Sequence, residues 1–93
     1  MTHAHEAITN FIEYTIEDME HTIKFTAKKE WGNQKLTKRE YARWSIERSE
    51  ERAAGALLYA KIYAKEITEE QYEELRVRLH DAYRRIEEKT WEL

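Results

Sequence analysis

Apolar and small side chains recur at steps of three and four along nearly the whole chain, and the recurrence lapses only near residues 32–36 and 67–68. That period is the mark of amphipathic helices. Ile8, Ile12, Thr15, Ile16, Met19, Ile23, Thr26 and Ala27 share one face of a first helix predicted over about residues 2–31. A second helix, over about 38–66, carries a core row of small residues: Ala42, Ser45, Ile46, Ser49, Ala53, Ala56, Leu57, Ala60, Ala64 and Ile67. Side chains this short let a neighbouring helix approach closely. A third, over about 69–91, has the cleanest stripe, Tyr72, Leu75, Leu79, Ala82 and Ile86, with Leu93 seven residues on.

Two start signals divide the chain. In Thr37-Lys38-Arg39-Glu40 and Thr68-Glu69-Glu70-Gln71 each threonine hydroxyl can accept from the amide three residues on, while Glu40 or Gln71 accepts from the threonine's own N–H. Gly32 or Asn33 suits a left-handed stop after the first helix. Short links predict antiparallel neighbours. The expected fold is all-α, an antiparallel three-helix bundle in one domain spanning residues 1–93. The link at Ile67-Thr68 contains neither Gly nor Pro, so the alternative is a near-merger of helices 2 and 3 into a bent rod that pairs as a helical-hairpin dimer.

More apolar surface is present than one core requires. Opposite its small-residue row the second helix carries Tyr41, Trp44, Gly55, Leu58, Tyr59 and Ile62. Gly55 costs about 1 kcal/mol relative to Ala in a helix interior, which points to a kink or a close contact there. Ala7, Phe11, Tyr14 and Phe25, with His21 in line, flank the core face of the first helix. These strips are either covered by neighbouring helices or form an interaction surface, where Tyr and Trp are enriched.

Charge narrows the choice of partner. The chain has a formal net charge of -3, yet residues 1–23 hold Glu6, Glu13, Glu17, Asp18 and Glu20 with no Lys or Arg. Residues 24–43 reverse the sign, with Lys24, Lys28, Lys29, Lys35, Lys38, Arg39 and Arg43 against Glu30 and Glu40. Such a basic stretch beside Trp31, Tyr41 and Trp44 could hold phosphates and stack unpaired bases. The acidic whole and the lack of a recognition motif weigh against that use. Cysteine is absent, excluding disulfides and thiolate chemistry. No apolar run approaches a membrane span and the start lacks signal-peptide character, so a cytoplasmic protein is expected.

Catalytic signatures are weak. Glu17 and Asp18 lie four and three residues before His21, but His21 points off the core stripe, where a bundle metal site needs inward ligands from several helices. His3 and His5 are near the terminus. Glu69, Glu70, Glu73 and Glu74 occupy or follow a helix start, where the dipole favours negative charge. Glu47, Glu50 and Glu51 interleave with Arg48 and Arg52 as a solvated ion-pair lattice, and His80-Asp81 has no identifiable nucleophile. A metal-dependent helical enzyme is the least supported reading, with no catalytic residue, metal, cofactor or small-molecule substrate indicated. The leading expectation is a non-enzymatic helical protein that binds a protein or a second copy of itself, as an adaptor, regulator or inhibitor. Tyr14, Phe25, Trp44, Tyr59 and Ile62 are its expected anchors. The alternative is a nucleic-acid-binding accessory role for Lys28, Lys29, Lys35, Lys38, Arg39 and Arg43.

Overall fold

The computed structural model describes residues 3–93. Three helices run α1 (His3–Lys28), α2 (Lys38–Ile62) and α3 (Glu69–Lys89), and a single 3₁₀ turn (Thr90–Glu92) closes the chain. The expected start of the first helix at Thr2 lies outside the described residues. Every helix packs against the other two, giving an all-α three-helix bundle. Its axis is long, with extents of 47 × 19 × 18 Å.

Local chemistry explains where α2 and α3 begin. Both capping boxes form: Thr37 N–H donates to Glu40 Oε1 at 2.9 Å and Glu40 N–H to Thr37 Oγ1 at 3.1 Å, while Thr68 and Gln71 exchange the equivalent bonds at 3.0 and 3.1 Å. The helix ends fall short of the expected ones by two to four residues. At the α2–α3 link Lys65 takes the left-handed conformation, φ 53°. Glu66 N–H then reaches Ala60 O at 2.9 Å and Ala64 N–H reaches Tyr59 O at 3.1 Å, so two carbonyls of the last turn of α2 are satisfied by a widened turn. The chain reverses within residues 63–68, which removes the merged-helix alternative. After α1 the expected left-handed position is Gly32, φ 59°.

The core is the predicted one with softer margins. Ile12, Ile16, Met19 and Ile23 of α1 meet Ala42, Ile46, Ala53, Leu57 and Ala60 of α2 and Leu75, Leu79, Ala82 and Ile86 of α3, with Ile67 from the link. Ile8, Tyr72 and Leu93 pack partly against them. Ser45, Ser49 and Ala56 are half-buried, whereas Ala27 and Ala64 are exposed, Ala64 because α2 has already ended. Buried threonines are treated unequally. Thr15 Oγ1 donates to Phe11 O at 2.9 Å, while the hydroxyl of Thr26, fully buried, has no hydrogen-bond partner.

Ion pairs fix the relative alignment of the rods. Arg78 of α3 grips both carboxylate oxygens of Glu13, and one turn-pair further along Arg85 reaches Glu20 at 2.9 Å, so α1 and α3 run parallel. Arg43–Glu87 at 3.2 Å and Lys61–Glu69 at 2.7 Å tie α2 antiparallel to α3. Most of these groups remain solvent-exposed, so they set orientation more than stability. The hydrogen bond from Arg78 nonetheless holds the Glu13 carboxyl below its ordinary pKa.

Candidate functional site

The outer face of α2 is the place to begin, because its inner face is consumed by the core. Side chains at 41, 44, 48, 51, 55, 58 and 62 follow alternating steps of three and four, hence one stripe along the helix. All seven residues are exposed: Tyr41, Trp44, Arg48, Glu51, Gly55, Leu58 and Ile62. The neighbouring helices leave them exposed, although Gly55 and Leu58 also edge the groove against α3. α2 does pack against both neighbours, but of the two readings of its second strip, cover by those helices is not the one these exposures favour. Gly55 is likewise not explained by a tight contact within the chain, since a Cβ built there would meet nothing within 4 Å.

Two apolar patches lie at the ends of this stripe. At the first, Trp31 donates its indole N–H to Leu36 O at 2.5 Å, pinning the loop, and its ring lies 5.4 Å from Tyr41, itself 6.4 Å from Trp44. At the second, Tyr59 and Tyr63 stack at 5.5 Å beside Leu58 and Ile62. Between them Arg48 Nη2 holds Glu51 at 3.1 Å and Glu47 at 3.5 Å. Glu50, read from sequence as part of that lattice, instead turns toward α3.

Tyr14 and Phe25 extend the apolar surface onto α1. Glu13 and Glu20 mark the side of α1 that faces α3, and by helical geometry Tyr14 and Phe25 lie about a third of a turn round from it, outward and toward α2. Phe25 stacks on His21 at 6.4 Å and has Lys29 Nζ 5.7 Å from its centroid. Relative exposure is 69% for Tyr14, 55% for Phe25, 55% for Trp44, 61% for Tyr59 and 48% for Ile62. All five sequence-selected anchors therefore face solvent on the α1–α2 side of the bundle, though in separate patches along it.

The basic end is less free than its composition implies. Lys38 Nζ donates to Ala27 O at 3.0 Å, neutralising a carbonyl at the C-terminal end of α1, where positive charge is favoured. Arg39 lies with its guanidinium carbon 3.4 Å from the Trp91 ring centroid, and Arg43 is paired with Glu87. Half of the six basic residues proposed for phosphate binding are thus engaged by contacts within the chain. Lys28, Lys29 and Lys35 remain exposed. Arg39 and Trp91 lie far apart in sequence, and only the register of α2 against the chain end brings them together.

A groove that sequence reasoning missed separates α2 from α3. Glu50, Leu58, Tyr72, Arg76 and His80 line a concavity of about 360 Å³. Burial raises the Glu50 carboxyl above its ordinary pKa, Glu51 adds to the rise, and His80 opposes it. Arg76 is held on Glu73 and Lys61 Nζ lies 4.3 Å from the Tyr72 ring centroid, so the charged rim is largely satisfied by its own neighbours. Among the described residues no group of three or more His, Asp or Glu side chains is placed to hold a metal ion. None of the described helices is long and apolar enough to cross a membrane.

No family model, curated protein or solved structure matches the chain.

Proposed function

We propose that this chain works by binding a protein, a partner or a second copy of itself, through the outer surface of α1 and α2, as a small non-enzymatic adaptor, regulator or inhibitor in the cytoplasm. One observation carries the reading: Tyr14, Phe25, Trp44 and Tyr59 each stand more than half exposed on α1 and α2, with Ile62 close to half, in a bundle whose core is already complete, while Val77 and Trp91 are exposed elsewhere. Leaving such surface in water is unfavourable, at roughly 25 cal/mol per Å² of apolar area. Tyr and Trp also supply contact area at low conformational cost, which is why they dominate binding hot spots. The acidic first half of α1 and the exposed Lys28, Lys29 and Lys35 would orient the encounter.

The test is retention of a partner from a lysate of the source by the tagged chain, with and without nuclease, beside the Trp44→Ala/Tyr59→Ala variant. Both positions are solvent-exposed, so the variant should keep wild-type helicity by circular dichroism while losing the nuclease-resistant partner. Undiminished retention would refute the assignment. Nucleic-acid binding has weaker support, since Lys38, Arg39 and Arg43 are engaged within the chain. It would take precedence if the bound material vanished with nuclease and with Lys28→Glu/Lys35→Glu.

A further inference from the structure

From the outer stripe of α2 we infer that the partner it fits is a second copy of this chain, docked antiparallel about a two-fold axis near Arg48 and Glu51. The inference rests on the reading of this face as a protein-binding surface and commits it to one occupant. Read forward, the stripe runs Tyr41, Trp44, Arg48, at steps of three and then four. Read backward from its other end it runs Leu58, Gly55, Glu51, at the same steps. Two antiparallel copies therefore bring Tyr41 against Leu58, Trp44 against Gly55 and Arg48 against Glu51, each pair occurring twice.

Every one of these pairs is complementary. The large indole of Trp44, 55% exposed, meets the one stripe position without a side chain. At Gly55 the space a Cβ would occupy is empty of the chain's own atoms, so the notch is open to an incoming group. Arg48 already attracts Glu51 of its own helix at 3.1 Å, and the two-fold brings Glu51 of the second copy to the other side of the guanidinium. Tyr41 and Leu58, both exposed, bury each other's apolar area. A parallel pairing has none of this match, because it sets Trp44 on Trp44 and Arg48 on Arg48, and like charges across an interface are repulsive. The paired part of the stripe, residues 41–58, extends over about 25 Å of helix at 1.5 Å per residue, enough for several successive layers.

Sedimentation equilibrium and light scattering across a range of protein concentration read the outcome directly. Wild type is expected at twice the 11.3 kDa chain mass. Gly55→Leu improves helix propensity yet fills the notch, so it should return the single-chain mass with helicity equal to wild type or greater. Arg48→Glu and Glu51→Arg each set like charges at the two-fold and should weaken self-association by about tenfold or more, equivalent to about 1.4 kcal/mol. Mixed in equal amounts, these two variants carry opposite central charges and should form a heterodimer tighter than either alone. A wild type that keeps the single-chain mass throughout overturns the inference, as does a dimer indifferent to Gly55→Leu or a mixture no tighter than its components. These outcomes are separate from the partner-retention assay. A single-chain protein that still retains a Trp44-dependent partner would overturn the self-pairing alone, whereas one that retains nothing would overturn both.

Discussion

Thr26 offers the sharpest test of how this core is held together, because its hydroxyl is fully buried and has no hydrogen-bond partner. A threonine within a helix ordinarily returns its proton to the carbonyl one turn earlier, as Thr15 does to Phe11 at 2.9 Å and Thr22 to Asp18 at 3.0 Å. Thr26 makes no such bond. A buried polar group left unpaired costs about 1–3 kcal/mol in proteins, and valine replaces the hydroxyl with a methyl of nearly equal volume. Both residues are β-branched with similar helix propensity, so that term cancels. Thr26→Val should therefore stabilise the fold by about 1–2 kcal/mol, raising Tm by about 4–8 °C per kcal/mol in a domain of this size.

Thr15→Val is the matched control. Its hydroxyl is also buried but bonded, and losing that bond forgoes a net of about 0.5–1.5 kcal/mol. Urea and thermal denaturation followed by circular dichroism on the two variants should separate them by about 1 kcal/mol or more, with Thr26→Val the more stable. A Thr26→Val protein no more stable than wild type, or a Thr15→Val protein that gains as much, would refute the reasoning.

Further substitutions in the link, the caps and the α2–α3 groove have defined outcomes. Lys65→Gly should raise stability in urea titrations by about 0.5–1 kcal/mol, because relief of about 1–2 kcal/mol of left-handed strain outweighs the greater freedom of glycine in the unfolded chain. Thr37→Ala and Thr68→Ala should each cost about 1 kcal/mol, read as a lower denaturation midpoint. The Thr37 backbone N–H holds the Glu40 carboxyl below its ordinary pKa, so its contribution is present above the unfolded-state pKa and lost as pH falls through the folded one; Glu40→Gln, which removes the titrating carboxyl, should flatten that acid limb of the stability profile. Glu50 has the opposite sign: burial raises its pKa, so the charged form disfavours folding at neutral pH. Glu50→Gln should be more stable than wild type at pH 7, and the gap should close as pH falls through the carboxyl's folded pKa.

Features decided within a few residues were the most legible in the sequence. Both capping boxes need only four neighbours each, and their threonines and acceptors stand where the spacing put them. The stripe Leu75, Leu79, Ala82, Ile86 is buried as its period requires. Helix ends were overrun because Ala64, Lys65 and Glu66 are ordinary helix formers, and nothing in their identity announces that Lys65 turns left-handed. The basic end was legible in its composition and not in its pairings. Charge counted along the chain ignores what folding brings from elsewhere: Trp91 to Arg39, Glu87 to Arg43, and the open carbonyl of Ala27 to Lys38.

The outer face of α2 shows where a tally of apolar residues loses information. Counting only apolar and small positions finds Tyr41, Trp44, Gly55, Leu58, Tyr59 and Ile62 and leaves a gap in the middle. Restoring Arg48 and Glu51 to that gap completes an unbroken three-four alternation, and it is these two charges, opposite in sign and bonded to each other, that give the stripe a centre. An apolar strip alone specifies stickiness without direction. With a charged pair at its midpoint, a large side chain on one flank and a glycine at the matching distance on the other, the same strip distinguishes antiparallel from parallel and one register from its neighbours. A one-turn slip would place Trp44 against Glu51 or Leu58 instead of Gly55, and would leave Arg48 without its reciprocal partner. In the proposed self-pairing, specificity would rest jointly on Arg48 and Glu51, which an amphipathic reading discards, and on the Trp44–Gly55 fit, while the other large side chains would supply the area.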